Sequence, residues 1–289
     1  MASLTTIVGV IGSVAVAGLF TNSSIDRSLI GAGMPMYAAV APRAKAHVVH
    51  VTGQDFQFDA PDVIAAGLTE FRFLNKGPSL HHLAILKLTG GNTIDDLRAA
   101  LANPGPAPAW VKEMGGPNAP DAGLESNATL NLGAGNYALI CFVDIGGPPH
   151  FAKGMVRPLR VVPSKVPDPR LTADVVLTLF DYSFRLSSPI RAGNRTIRVR
   201  NIGKQHHEVQ LVQLAAGKTL GDFMSWLQKM DGPPPGKALG GIAGMDPGMS
   251  EYFTAAFAPG NYGLICFVPD AKDGKPHFAH GMVEQITVR

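Results

Sequence analysis

The chain is short of charge, of aromatic residues and of cysteine, and each shortage excludes something. Charged residues make up 16% of the 289, the net charge is +3, and there is no block of Lys or Arg, so no nucleic-acid-binding surface is expected. Aromatics at 7%, against 33 glycines and 23 prolines, argue against a helical bundle and for an all-β chain with many turns. The apolar run Ile7–Phe20 is too short for a comfortable membrane span and has the length of a signal-peptide core. Small-residue cleavage motifs stand at Ala15–Ala17 and Ala44–Ala46, although the first basic residue, Arg27, follows the run instead of preceding it. Residues 1–46 are therefore expected to be an export signal to the periplasm or the exterior, with an uncleaved membrane anchor or a flexible tail as the other options.

What is present is present twice. FQFDAPDVIAAGLTEFRFLNKGPSLHHLAILKL, from Phe56, matches YSFRLSSPIRAGNRTIRVRNIGKQHHEVQLVQL, from Tyr182; LGAGNYALICFV, from Leu132, matches FAPGNYGLICFV, from Phe257. The offset is 126 positions at Asn75 and Asn201 and 125 at Cys141 and Cys266. A period this long means tandem domains and not a solenoid. The expected units are residues 47–162 and 171–289, joined by a proline-rich linker at 163–170 and packed through a limited interface. TEFRFLN and RTIRVRN alternate apolar and polar residues as half-buried strands do. Each copy also carries one helix: Ile94, Leu97 and Leu101 form an apolar stripe, repeated by Leu220, Phe223 and Leu227. Thr93 and Thr219 stand three residues before Asp96 and Asp222, as N-caps do. A Gly/Pro-rich segment after each helix reads as a loop wrapping the domain. Strands, turns and one inserted helix per copy describe two tandem β-sandwiches.

The two cysteines invite a disulfide, but they occupy the same position in separate copies, so a bridge would require equivalent strand ends to meet. Their surroundings offer a better reason for them. His150 and Met155 follow Cys141 as Cys-x8-His-x4-Met, and His277 and Met282 follow Cys266 as Cys-x10-His-x4-Met. Thiolate, imidazole and thioether are soft donors that suit copper, and a second histidine completes a trigonal site of two imidazoles and a thiolate with a weak axial Met. The pairs His81–His82 and His206–His207 offer that histidine, one of each pair facing inward. His207 shares its parity with Val209 and Leu211, so it is expected to be the inward one. Matching the two His-His pairs makes His82 its counterpart, with His81 and His206 as alternates.

GNYALICFV…PHFAKGMV and GNYGLICFV…PHFAHGMV resemble the C-terminal signature of the cupredoxins, the plastocyanin-like blue copper proteins. NKGPSLHH and NIGKQHH are similar to the Asn-x-Gly turn before that family's first histidine ligand, although the family's spacing would select His206 in the second copy. The resemblance covers nearly all of residues 47–289 and implies Greek-key sandwiches with two type 1 coppers per chain. One copper would be held by His82, Cys141, His150 and Met155, the other by His207, Cys266, His277 and Met282. The implied function is one-electron transfer between redox partner proteins, with Phe142, Phe151, Phe267 and Phe278 excluding water. The first Cys-to-His loop has the length found in two-domain copper nitrite reductases, which raises a copper oxidoreductase, related to these or to multicopper oxidases, and a homotrimer by analogy. Against the enzyme stand the absence of any His-x-His and the neighbours of the cysteines, Ile140, Phe142, Ile265 and Phe267, where those enzymes carry a histidine. His81, His206 and His280 would have to meet at a subunit interface to supply a catalytic metal. A copper carrier or buffer of the cell envelope is the remaining alternative, with Met230, Met245 and Met249 as further thioethers.

Overall fold

The computed structural model describes residues 46–103, 105, 107–145, 147–165 and 169–289. The run Ile7–Phe20, the Ala15–Ala17 motif, Arg27, Ala44 and residues 166–168 of the expected linker lie outside them. Among the described residues, no helix is long and apolar enough to cross a membrane.

The first copy forms strands β1 (His47–Gln54), β2 (Gln57–Asp59), β3 (Val63–Ala65), β4 (Gly67–Asn75), β5 (Ala84–Leu88), β6 (Val111–Gly115), β7 (Glu125–Leu132), β8 (Gly135–Ile140) and β9 (Val156–Val162). The second forms β10 (Val175–Phe180), β11 (Ser183–Leu186), β12 (Gly193–Asn201), β13 (His207–Leu214), β14 (Gly236–Met245), β15 (Ser250–Phe257), β16 (Gly260–Ile265) and β17 (Val283–Val288). The helices are α1 (Ile94–Leu101) and α2 (Leu220–Lys229), each opened by the expected capping box, Thr93 with Asp96 and Thr219 with Asp222.

Alternation along the strands builds the core. In the first copy Val49 and Val51 of β1, Phe71 and Phe73 of β4 and Leu130 and Leu132 of β7 pack against Ile85, Leu139, Leu159 and Val161 from the second layer. Each such side chain taken from water contributes about 1.5–3 kcal/mol. Ile197, Val199, Leu177 and Phe253 meet Val209, Leu211 and Leu264 in the same way in the second copy. The layer holding β5 and β13 is buried on its outer face as well: Leu86, Leu88, Ala138 and Ile140 pack under Leu97 of α1, and Val212, Leu214 and Ile265 pack under Leu220 and Phe223 of α2. Tyr137 and Tyr262 are fully buried, and their hydroxyls bond back to the backbone at Gly133 and Ala258 just before the strands that lead to the cysteines.

The expected limited interface is not what forms. Two sheets run through both copies: an eight-stranded one ordered β11-β10-β12-β15-β7-β4-β1-β2 and a nine-stranded one ordered β17-β16-β13-β14-β6-β5-β8-β9-β3. Equivalent strands meet at the seam, β7 beside β15 and β6 beside β14. The segments after the helices, expected as wrapping loops, supply much of it. Asp246 N donates to Glu113 O at 2.9 Å, Ala243 N to Gly116 O at 2.9 Å and Asn118 N to Gly241 O at 3.1 Å. A glycine there leaves room for a side chain of the other copy: at Gly115 (φ +93) a Cβ would lie 1.9 Å from Glu251 Oε1. Glu251 is fully buried there. One of its oxygens accepts from Gly116 N at 3.1 Å, and the other has no partner among the described residues.

Candidate metal centres

Each centre is assembled from three pieces of chain, and the last residue of a strand starts it. Asn75 closes β4 and Asn201 closes β12. Asn75 Oδ1 accepts from Gly77 N, while its amide donates to Ser79 O and Pro120 O, all at 3.0–3.1 Å. Asn201 repeats this with Gly203 N, Gln205 O and Met245 O at 2.9 Å. The turn so tied sends His81 and His207 into the core. A side chain at the turn glycine would collide with them: a Cβ on Gly77 would lie 2.8 Å from His81 Nε2, and one on Gly203 2.5 Å from His207 Nε2.

Cys141 and Cys266 follow directly on β8 and β16, both buried and both free thiols. The chain returns to each through a single 3-10 turn, His150–Lys153 or His277–His280, ended by Gly154 (φ 107) or Gly281 (φ 99) in the left-handed region. Cys141 N donates to Met155 O at 3.1 Å and Cys266 N to Met282 O at 3.2 Å, so the backbone fastens each methionine beside its cysteine. Both methionines are fully buried in the core clusters that hold the cysteines.

In the first copy Cys141 Sγ lies 3.5 Å from His150 Nδ1 and 4.0 Å from His81 Nδ1, and the two Nδ1 atoms are 2.9 Å apart. In the second, Cys266 Sγ lies 3.5 Å from His277 Nδ1, which is 3.0 Å from His207 Nδ1. Metal–nitrogen and metal–sulfur bonds of about 2.0 and 2.3 Å would space such donors by about 3.4 Å. The donor set fits a metal on chemical grounds too. His81 Nε2 faces Asp55 Oδ1 at 2.5 Å and His207 Nε2 faces Asp181 Oδ1 at 2.9 Å. A carboxylate only accepts, so the ring proton sits on Nε2 and a lone pair on Nδ1 points into the cluster. The chain thus holds two buried clusters, each of two histidines, a cysteine and a methionine, typical of type 1 copper sites.

His82 is the correction. It points out of the cluster: its Nε2 accepts from Phe142 N at 2.8 Å on the outer face of the sheet, and His81 stands in the cluster instead. His81, Leu83 and Ile85 share one face, as His207, Val209 and Leu211 do. Pairing the two His-His dipeptides slips the alignment by one residue and so exchanges the faces. With the offset of 126 kept from Asn75 onward, His81 matches His207, and His82 matches Glu208. The structure agrees, since Glu208 Oε1 accepts from Phe267 N at 2.9 Å, as His82 does from Phe142.

Burial pushes the Cys141 thiol up to about 11 and raises that of Cys266 further, so at neutral pH the thiols keep their protons until a metal displaces them. Burial also lowers His150 and, with His207 nearby, brings His277 down to about 4, which keeps both rings neutral. Burial alone would raise Asp55 and Asp181. Hydrogen bonds from Ser79 and His81, and from His207 and Lys204, outweigh it and hold the carboxylates ionised.

Asp55 and Asp181 were missed in the sequence, as was the covering role of the residues after them. Phe56 lies over His150 with ring centres 4.8 Å apart, and Tyr182 lies edge-on to His277 at 5.4 Å. The signal was available: Asp-Phe at 55–56 and Asp-Tyr at 181–182 keep the same offset as the asparagines. The phenylalanine pairs Phe142–Phe151 and Phe267–Phe278 form edge-on contacts at 5.7 and 5.4 Å, and none of the four is fully buried. His206 bridges Glu113 and Asp246, and His280 contacts Asp273. Met245 is core, Met249 packs against it and Met230 is exposed. Replacing Asp181 with Ala is expected to weaken copper binding at its own centre by about 10–100-fold and to raise that centre's reduction potential. Chelator competition and redox titration check this, and equal weakening of both centres would count against it.

The fold and the paired donor sets define a cupredoxin-like protein. No family model and no curated protein sequence matches the chain. Among solved structures it is similar to auracyanin B (23% identity, 42% of this chain and 92% of that one, TM-score 0.29). It is also similar to auracyanin A, a blue copper protein from Chloroflexus aurantiacus (19% identity, 41% and 100%, TM-score 0.30). A blue copper oxidase from Nitrosomonas europaea is similar over 84% of this chain and 86% of its own, at 17% identity and a TM-score of 0.25.

Proposed function

We propose that the protein is an exported electron carrier that holds two type 1 coppers and passes single electrons between redox partners. The ligands are His81, Cys141, His150 and Met155 at one centre and His207, Cys266, His277 and Met282 at the other. The observation that carries this reading is that both donor sets are already assembled and buried, each with one histidine fixed by a carboxylate and the cysteine tied to the methionine backbone. Copper bound there supplies a one-electron couple. The protein's part is to keep the donors in place in both oxidation states, so that little has to rearrange when the charge changes. Phe56, with Lys153 4.4 Å over its ring, and Tyr182 cover the histidines and limit the entry of water. Export is supported by the run Ile7–Phe20. Titration of purified protein with Cu(II) is expected to develop an intense thiolate-to-copper band that saturates at two equivalents per chain. Uptake without colour would reject the reading.

A further inference from the structure

The two centres carry the same donors but not the same charges around them. At the Cys266 centre the outer edge of the His277 ring faces a buried acid: its Nε2 lies 3.8 Å from Asp270 Oδ2 and has no hydrogen-bond partner among the described residues. With His277 Nδ1 turned into the cluster, the proton of the neutral ring sits on Nε2, on the side of that carboxylate. Asp270 is itself held firmly. Its Oδ2 accepts from the Tyr182 hydroxyl and from Gln205 Nε2 at 2.9 Å, and its Oδ1 accepts from Lys272 N at 2.8 Å and Asp273 N at 3.4 Å. It is 4% exposed, and these bonds, that from Tyr182 foremost, hold its carboxyl well below the usual carboxylate range, so its charge is present at neutral pH. The first copy is built differently. Phe56 stands where the second copy has Tyr182, and Ser79 stands where it has Gln205 and bonds Asp55 instead. Asp144, the acid of the first Cys-to-His loop, is exposed. What this copy adds is a charge of the opposite sign: Lys153 lies 4.4 Å over the ring of Phe56, which in turn covers His150.

We propose that Asp270 is a potential-setting residue that makes the Cys266 centre the harder of the two to reduce, so that the first electron taken up by the chain rests at the Cys141 centre. The proposal rests on the copper reading above. A cluster of two neutral imidazoles and one thiolate carries one positive charge more with Cu(II) than with Cu(I). A buried negative charge on the far edge of one imidazole therefore stabilises the oxidised form over the reduced one. Lys153 acts the other way at the Cys141 centre, and weakly, because it is exposed and screened by solvent and salt. In the step, a one-electron donor is oxidised and Cu(II) at the Cys141 centre becomes Cu(I); no bond forms or breaks and no proton moves. The Cys266 centre fills only from a stronger donor, so one chain serves reductants of two strengths.

Redox titration of the copper-loaded full chain, followed in the thiolate-to-copper band, tests this. Cys141→Ser leaves only the Cys266 centre and Cys266→Ser only the other, so each potential is read alone. The Cys266 centre is expected to have the lower potential. Asp270→Asn is expected to raise it, increasing the Cu(I):Cu(II) ratio there about tenfold at a fixed applied potential, and to leave the Cys141 centre unmoved. Asp270→Glu keeps the charge and is expected to keep the potential low. Chelator competition gives a second readout, since Asp270→Asn must weaken Cu(II) binding relative to Cu(I) binding by the same factor. Equal or reversed potentials in the two cysteine variants overturn the proposal, whether or not the asparagine variant folds. So does a folded Asp270→Asn that shifts neither centre or both alike, or an Asp270→Glu that rises as far as the asparagine variant. A parent protein that binds copper without a thiolate-to-copper band instead rejects the copper reading, and this proposal with it.

Discussion

Cys266→Ser is expected to bind one copper per chain and to keep half of the thiolate-to-copper absorption, and Cys141→Ser is expected to lose the other half. Each cluster draws its donors from one copy alone, so neither needs the other to be complete. Serine preserves the size of the side chain, but its hydroxyl does not ionise to give the soft anionic donor that the band requires. The double replacement should be colourless while keeping its β-rich circular dichroism, because the cysteines contribute packing and not a cross-link. Absorbance and metal content measured on the same samples decide the matter. If either single replacement abolished all colour, the two centres would not be independent.

The unfolding free energy of the parent protein, minus that of Glu251→Gln, is expected to fall by about 1.4 kcal/mol per pH unit above about pH 5. Burial raises the Glu251 carboxyl well above its ordinary 4.5, opposed only by the Gly116 N–H. Between those limits the native state holds a proton that the unfolded chain has released, so stability is lost as pH rises. The loss stops where the native carboxyl itself ionises. Glutamine keeps an acceptor for Gly116 N–H and cannot ionise, so the difference isolates this one group from Glu208, which burial raises to about 7 and which acts in the same direction. Urea unfolding at pH 5, 6, 7 and 8, at constant copper loading, measures it. A difference that stays flat with pH would mean that the seam tolerates the charge.

Much of this architecture could be read from the repeat. Thr93 and Thr219 cap the helices as expected, because capping is a local transaction between neighbours in sequence. Cys141, His150, Cys266, His207 and His277 come together because short loops and strand parity bring them there. The choice of His82 fails for an instructive reason. The face rule that selects His207 also selects His81 when Leu83 and Ile85 are counted, but aligning two identical dipeptides overrides it. Asp55 and Asp181 are hard to read because the bond each makes to a histidine closes over 26 positions, and a lone aspartate in a turn ordinarily does no more than bond its own backbone. The seam is illegible on different grounds. The segments Gly115–Pro120 and Gly236–Met245 have loop-like composition; Gly236–Met245 becomes a strand by pairing with β13 of its own copy, and bridges at Pro117–Ile242 and Pro120–Leu239 then join the two copies.

Equivalent strands meeting across one axis is the arrangement of a symmetric homodimer, here carried on a single chain. Two identical subunits would be bound to place like against like at that axis: histidine facing histidine, or glutamate facing glutamate. Covalent fusion removes the obligation. Here one copy carries His82 and the other Glu208 at the matching position, and Glu208 is given a hydrogen bond by Asn118 of the opposite copy, at 3.2 Å. An unequal contact of this kind, an amide of one copy donating to a carboxylate whose counterpart is a histidine, is something no pair of identical halves could build.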